Sequence, residues 1–310
     1  MPVENSLLNQ WLHHPQKLRL RRLLFRLHMI TGISLGLYLL FISLTGSVLV
    51  YRNELLEMAM PIPPLSTAES PLLQDAQLQQ RALEQYPGYQ IGRLFRGADE
   101  NQAVEVWLVD GGKRLQRFFD PRTGADLGSA SRWKMDAVYT LMELHKSFLA
   151  GPAGVRINGI GALALLFMAC SGLLLWWPGV SRWTQRLRVQ PGGTTTQKIW
   201  QTHSSMGFWS AAFIIMFAAS GAYLCFQDFF NGLADKIEPP SRETAGDRFV
   251  DHLLYLLAFL HFGRLNGIAL PCDGPGLCDQ SFKAIWAVFG AAPAVMFITG
   301  FTMWLNRNKE

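Results

Sequence analysis

The 310-residue chain contains few charged residues: Asp, Glu, Lys and Arg make up 16% of it, and hydrophobic residues make up 49%. A soluble domain carries about a quarter charged residues. The sequence also lacks a Gly-rich phosphate-binding loop, a dinucleotide fingerprint after a predicted strand and a Ser-His-Asp arrangement with evident structure. These absences argue against a soluble enzyme. They offer no place for a flavin or nicotinamide cofactor of the chain's own, and no catalytic side chain is predicted.

The apolar residues are concentrated in four runs that contain almost no charged side chains. Each run is near the ~20 residues that a helix needs to cross a bilayer, and no alternating barrel pattern appears. The sequence therefore predicts an all-α membrane protein with a four-helix transmembrane bundle. The approximate limits of the runs are Leu27–Tyr51, Ile157–Trp177, Met206–Phe226 and Ala284–Leu305.

Lysine and arginine cluster in the connections on one side of these runs, while the other two connections hold many acidic residues. The clusters are Lys17, Arg19, Arg21, Arg22 and Arg26, then Arg182, Arg186, Arg188 and Lys198, and finally Arg307 and Lys309. By the positive-inside rule we expect both termini and the 178–202 loop in the cytoplasm of a bacterium, with the chain in the inner membrane. The first run reads as a retained helix rather than a cleaved signal peptide. The net charge of +5 reflects this topology and does not indicate nucleic acid binding.

The predicted organisation follows from these runs and their connections. It comprises a cytoplasmic basic tail (1–26), transmembrane helix 1 (27–51), a periplasmic domain (52–144), transmembrane helix 2 with its outer lead-in (145–177), a cytoplasmic loop (178–202), transmembrane helix 3 (203–226), a periplasmic loop (227–283), transmembrane helix 4 (284–305) and a cytoplasmic tail (306–310).

The first and third runs share one register. In each, glycines follow a histidine at +4 and at +18, and the second glycine follows a hydroxyl residue. Eighteen residues are about five helical turns, so the histidine and the second glycine share a helix face about 27 Å apart. Histidine binds haem iron and other transition metals, so the matched positions suggest a shared ligand. The residues are His28, Gly32, Thr45 and Gly46 in one run and His203, Gly207, Ser220 and Gly221 in the other.

A second register relates the other two runs. A Leu-His pair precedes each run, and a hydroxyl residue, a glycine and a tryptophan follow within it. The chain is therefore predicted to consist of two repeated helical pairs, approximately 27–177 and 202–305. The residues are Leu144, His145, Ser171, Gly172 and Trp176 in the first pair and Leu260, His261, Thr299, Gly300 and Trp304 in the second.

The region between the first two runs reads as a small α+β insertion. Pro61–Pro71 is a linker, Leu72–Tyr86 has helical spacing, and three β-like segments follow, separated by turn signals such as Asp110-Gly111-Gly112. One helix followed by a three-stranded meander is expected. The three segments are Tyr89–Arg96, Ala103–Val109 and Arg114–Phe119.

The segment Phe119-Asp120-Pro121-Arg122-Thr123-Gly124, followed by Leu127-Gly128, is similar to the strand-turn signature of PepSY domains. A PepSY-like domain inserted between the first two of four spans resembles the PepSY-associated transmembrane family. The resemblance covers nearly the whole chain. Some members of that family are inner-membrane ferric-siderophore reductases of the FoxB type. The resemblance implies haem b held between helices and electrons delivered outward to iron.

The predicted depths sort the histidines into two pairs, each able to supply the two axial ligands of one haem b. His28 and His203 lie at the cytoplasmic ends of their spans, and His145 and His261 lie at the outer ends of spans two and four. Gly32 and Gly207 would let a macrocycle lie against helix backbone. The remaining glycines would give room at the other ligand level: Gly46 and Gly221 at the outer one, Gly172 and Gly300 at the inner one.

The expected function is a di-haem oxidoreductase that moves electrons across the membrane. The electrons are expected to come from a membrane quinol, a cytoplasmic reductase or a small reduced flavin. The acceptor that the resemblance implies is a ferric siderophore or another periplasmic ferric compound, which releases ferrous iron on reduction. Two alternatives stay open: a haem or metal transporter or chaperone without redox turnover, and a membrane-anchored PepSY module that binds a partner without enzymatic activity.

Simpler interpretations exist for single residues. A hydroxyl-glycine step in a span is often a close helix contact, and an interfacial histidine is often a headgroup contact. His13 and His14 are expected in a solvated tail, and His252 is either a substitute for His261 or a surface residue.

Cys170 and Cys225 lie in spans as small apolar residues. Cys272 and Cys278 are expected to form a local disulfide outside.

Overall fold

The computed structural model describes residues 7–63, 70–97, 99–180, 182–240, 248–263 and 276–307. They form two compact units. The first, here the membrane unit, comprises the described parts of 1–50, 143–273 and 277–310. The second, the insertion unit, comprises the described parts of 51–142 and 274–276.

The described residues form eleven α-helices. They are α1 (Leu7–His13), α2 (Arg19–Leu49), α3 (Arg52–Glu57), α4 (Asp75–Gln85), α5 (Arg132–Ser147), α6 (Gly151–Trp176), α7 (Thr195–Cys225), α8 (Gln227–Ile237), α9 (Phe249–His261), α10 (Leu277–Gly290) and α11 (Ala292–Arg307).

Four helical segments of the membrane unit are long and apolar enough to cross a bilayer: α2, α6, α7 and the segment formed by α10 and α11. The fourth is interrupted at Ala291, just before Pro293, which has no backbone N–H to donate to the preceding turn. α2 packs against α6 and α11, and α7 packs against the same two helices, so the four close into a bundle. The predicted multi-pass helical membrane protein is confirmed.

The helices extend beyond the apolar runs. α2 begins at Arg19 and α7 at Thr195, because polar residues continue a helix as well as apolar ones do. A capping box sets the start of α7: the Thr194 hydroxyl accepts from the Gln197 backbone N–H, and the Gln197 side chain accepts from the Thr194 N–H.

The sequence placed two histidines at the outer ends of spans two and four, but it did not predict the separate helices that carry them. His145 lies near the end of α5 and His261 ends α9, both of which are separate helices preceding the spans. The chain leaves α5 through left-handed backbone at Phe148 (φ 51°) and Leu149 (φ 60°), conformations that are costly for residues with a Cβ. α6 then starts afresh at Gly151.

In the insertion unit, α4 packs on an antiparallel sheet, with strands in the order β1 (Gln90–Phe95), β2 (Val104–Asp110), β3 (Lys113–Phe119) and β4 (Asp126–Gly128). The unit also contains α3 and the first part of α5. The three-stranded meander predicted from the sequence therefore lacked the fourth strand, β4. The turn after β3 explains the addition: the Asp120 side chain accepts from the N–H groups of Arg122 (2.8 Å) and Thr123 (2.9 Å) and reverses the chain. The buried core consists of Leu78, Ala82, Val104, Val106, Leu108 and Phe119.

A polar cluster in the insertion unit makes its stability depend on pH. Desolvation raises the pKa of Asp126, but hydrogen bonds from Arg117, Tyr86 and the Gly128 N–H outweigh it and leave that pKa below its ordinary value. The stabilisation is therefore present at neutral pH and is lost as the pH falls through the lowered pKa. Asp126→Asn should lower the thermal transition of this unit in the full-length protein at pH 7, and the difference should shrink as the pH falls through the lowered pKa. Asp110→Asn, an exposed aspartate of the same sheet, is the control, and equal effects of the two variants would contradict the assignment.

Candidate functional site

All four predicted histidines of the membrane unit contact a hydroxyl group through Nδ1. In each case the hydroxyl belongs to one of the predicted hydroxyl-glycine steps in the same half of the repeat. One contact in each half joins the two long helices, and the other joins a long helix to α5 or α9. The contacts are His28 to Ser171 (2.9 Å), His145 to Thr45 (2.9 Å), His203 to Thr299 (2.9 Å) and His261 to Ser220 (2.8 Å).

The hydroxyl groups fix the tautomer of each imidazole. Each one donates its single proton to a backbone carbonyl of the preceding helical turn, so it accepts from the histidine, and Nδ1 carries the ring proton. The Nε2 atoms are left with a lone pair, which is the form that binds a metal. A metal-ligating histidine usually donates its other ring N–H in this way. The carbonyl acceptors are Phe41 for Thr45 (2.9 Å), Met168 for Ser171 (3.2 Å), Met216 for Ser220 (2.6 Å) and Val295 for Thr299 (2.8 Å).

The glycine after each hydroxyl residue lets an imidazole approach the helix backbone. A Cβ added at that glycine would lie close to the Cε1 atom of the histidine that the neighbouring hydroxyl holds. The ring that packs against each of these glycines in the structure is therefore the imidazole of that histidine. The Cβ to Cε1 distances are 2.9 Å for Gly46 and His145, 3.2 Å for Gly300 and His203, 3.3 Å for Gly172 and His28, and 3.7 Å for Gly221 and His261.

The histidines form two pairs across the halves. The rings of His145 and His261, here the second pair, have centroids 6.4 Å apart and planes inclined by 47°. Two imidazoles that bind one metal from opposite sides at about 2 Å per metal–nitrogen bond have centroids about 6 Å apart. His28 and His203, the first pair, lie close enough for their charges to interact. Each level of the bundle therefore offers two imidazole ligands.

A family model described as "PepSY-associated TM region" matches residues 25–248 of the chain. The chain belongs to this family. The matched part runs from the start of the first span through the insertion unit and the third span, and it includes His28, His145 and His203. No curated protein matches the chain.

Two methionines of the membrane unit were not predicted from the sequence. Gly32 and Gly207, which the sequence predicts to lie against a macrocycle, face the terminal methyl groups of Met168 (3.1 Å) and Met296 (2.9 Å), measured from an added Cβ. Each methionine lies three residues before the hydroxyl of its helix, Ser171 or Thr299. That matched spacing could have revealed them. Their polarizable and adaptable side chains line the level of the first pair.

A further pair of equivalent residues holds the helices that present the second pair. Asn158 donates from Nδ2 to the carbonyl of His145 (2.9 Å), and Trp286 donates from Nε1 to the carbonyl of Leu260 (2.6 Å). Asn158 precedes Ser171 by the same interval as Trp286 precedes Thr299. The last carbonyls of a helix have no partner within it. These two side chains therefore satisfy them and fix the ends of α5 and α9.

Asn158→Ala should loosen the end of α5. It removes a hydrogen bond of about 1 kcal/mol, so amide hydrogen exchange there should rise about fivefold in the full-length protein. Tyr38→Phe is the matched control, because it removes the Tyr38 hydroxyl that bonds Asn158 Oδ1 (2.7 Å) and keeps the bond to His145. Unchanged exchange in Asn158→Ala would show that Asn158 does not hold the helix.

The remaining predicted residues lie apart from the two pairs. His252 is exposed on α9, and His13 and His14 are exposed at the end of α1. Cys170 and Cys225 are free cysteines. Cys278 is disulfide-bonded, while Cys272, its expected partner, lies outside the described residues.

Proposed function

We propose that the chain is a di-haem b oxidoreductase of the inner membrane, similar to ferric-siderophore reductases of the FoxB type. Electrons enter from the cytoplasmic side and leave to a periplasmic ferric siderophore or a similar ferric acceptor, which releases ferrous iron. The observation that supports the proposal is the set of four imidazoles whose Nδ1 atoms are bound by hydroxyls at two levels of the bundle.

The residues present fit haem iron, which takes up to two axial ligands from the protein. Among the described residues, no group of three or more His, Cys, Asp or Glu side chains could hold a metal ion, so each level supplies imidazoles two at a time. The N–H groups of Trp176 and Trp177 are buried without an acceptor in the described part of the chain. Both lie at the end of α6 near the first pair, where they are suitable donors to a haem carboxylate.

When bound, haem supplies one-electron transfer. The chain's own residues provide the iron ligands and set the distance between the two levels. The hydroxyls hold the Nδ1 protons, so that Nε2 of each histidine keeps a lone pair for the iron. His28 and Thr45, which mark the two levels on α2, are about 25 Å apart at ~1.5 Å per residue. The two levels therefore lie toward opposite ends of the bundle, as transfer across a bilayer requires.

The proposed orientation places both termini and the 178–202 loop in the cytoplasm. It depends on the arginine and lysine clusters before α2, between α6 and α7, and after α11. In that orientation the first pair is near the electron donor and the second pair is near the ferric acceptor.

Adding a ferric siderophore to the dithionite-reduced protein, after removal of excess dithionite, tests the acceptor. The reduced visible spectrum should return to the oxidised one, and a ferrous chelator should capture one ferrous ion per electron lost. Iron-free siderophore is the control. A reduced spectrum that persists with ferric siderophore would contradict this acceptor. Transfer of haem to a haem-accepting protein, without reoxidation of the haem iron, would instead favour a haem transporter or chaperone.

A further inference from the structure

A cavity of about 260 Å³ opens at the end of the bundle that carries the first pair. The residues after α6 and the first turns of α7 form most of it. Its walls are polar apart from Pro178 and Trp200. The lining includes Gln16, Arg182, Gln185, Arg186, Arg188, Gln190, Gln201 and Ser204.

The cavity is positively charged without compensation. No carboxylate in the described part of the chain pairs with Arg182, Arg186 or Arg188, and the sequence has no Asp or Glu from 144 to 227 or from 5 to 53. Burial lowers the pKa of Arg186. Guanidinium groups gathered in a partly enclosed space favour an anion, and phosphate suits their planar fork of donors.

Two of the lining side chains are already held in place. The Arg186 guanidinium lies 5.0 Å from the centre of the Trp200 ring and donates to the Trp176 carbonyl (2.9 Å). The Gln201 side chain accepts from the Gln190 backbone N–H (2.7 Å), which leaves its amide N–H groups for a ligand. The glutamines supply donors and acceptors that match the edge of a heteroaromatic ring. A lipid would instead need an apolar wall for its acyl chains.

The cavity lies beside the helical turn that carries His203 of the first pair. Trp200 and Ser204 lie on α7, one turn before and one residue after His203. Residues three apart on a helix are neighbours on its surface, about 5–6 Å apart at Cβ. A molecule held against Trp200 is therefore next to the histidine through which electrons enter under the proposed function.

We propose that this basic cavity binds a phosphate-bearing heteroaromatic reductant, a reduced flavin mononucleotide, as the electron donor. The role of this molecule as electron donor rests on the proposed function. Its binding rests on the cavity alone. On becoming oxidised, the dihydroflavin gives up two electrons and two protons. The two electrons would pass one at a time to ferric haems held by the first and second histidine pairs, reducing each by one electron, and the two protons would pass to water.

Binding is tested first, with oxidised flavin mononucleotide as the fluorescent probe and the full-length protein in detergent. We expect saturable quenching, with riboflavin, which lacks the phosphate, binding at least about tenfold more weakly. Arg186→Gln should weaken flavin mononucleotide binding about tenfold. Because Arg186 also holds the Trp176 carbonyl, the double variant Arg182→Gln, Arg188→Gln provides a second route to the same result. Arg22→Gln, which removes an exposed arginine of α2 outside the cavity, should leave binding unchanged.

Three results would overturn the binding proposal. One is equal binding of riboflavin, and another is equal weakening by Arg22→Gln, which would show a diffuse effect of charge. The third is displacement of the probe by phosphatidylglycerol micelles but not by inorganic phosphate, which would assign the cavity to a lipid headgroup.

The donor role is tested by mixing reduced flavin mononucleotide with the oxidised protein. The haem bands should appear more slowly, about tenfold, in Arg186→Gln than in the unaltered chain, while dithionite should reduce both equally. Equal rates with the flavin would overturn the donor role. The two proposals fail separately: flavin binding without haem bands would reject only the proposed function, and haem bands without flavin binding would reject only the cavity.

Discussion

His145→Ala should remove one of two haems from the purified protein, and His261→Ala should remove the same one. The physical reason is that the two rings lie 6.4 Å apart, a separation that suits two opposite ligands of one iron, so the loss of either would leave one ligand. The pyridine haemochrome assay, expressed as haem per chain, measures the result. His252→Ala is the matched control on the same helix as His261 and should keep both haems.

Double variants make the pairing test sharper. His145→Ala with His261→Ala should still retain one haem, because both changes affect one level. His28→Ala with His145→Ala should retain none, because each change affects a different level. A double variant of the second pair that lost both haems, or a cross-level double variant that kept one, would contradict the assignment of ligands to levels.

Gly46→Ala should weaken haem binding at the second pair by about 10–100-fold, the range seen when the partner of a metal-bound histidine is lost. A methyl group at Gly46 would lie 2.9 Å from His145 Cε1, too close for an ordinary contact, and would push the ring away from the Thr45 hydroxyl. Haem titration of the variant, followed in the visible spectrum, measures the effect.

Gly221→Ala is the control that the repeat itself provides. Gly221 occupies the equivalent position in the other half, but a methyl group there would lie 3.7 Å from His261 Cε1, an ordinary van der Waals distance. Both changes raise helix propensity by about 1 kcal/mol, so any difference between them comes from the contact with the ring. Equal affinities in the two variants would show that the close approach at Gly46 has no role.

The sequence predicted the spans and the levels of the site because both depend on local periodicity. Hydrophobic length defines a span, and the regular rise of a helix places His28 at the level of Gly172 and Thr45 at the level of His145. The equal intervals in the two halves placed a hydroxyl-glycine step at the level of each histidine pair. They did not predict that the hydroxyl group contacts the imidazole, which the structure shows.

Other features depend on contacts that the sequence does not express locally. The break between α5 and α6 uses left-handed backbone at Phe148 and Leu149, residue types that give no signal of it. Asn158 and Trp286 each donate to a carbonyl near the end of α5 or α9. An amide and an indole have only the N–H donor in common, so the sequence does not mark them as equivalent. The short strand β4 needs β3 beside it to form.

The visible spectrum of the purified full-length protein, before and after dithionite, tests the central claim of haem ligation most directly. The four hydroxyl-bound imidazoles predict sharp reduced b-type bands and two haems per chain by the haemochrome assay. Absence of those bands in protein produced with ample haem, or a single haem that survives each of the four histidine-to-alanine changes, would contradict the account.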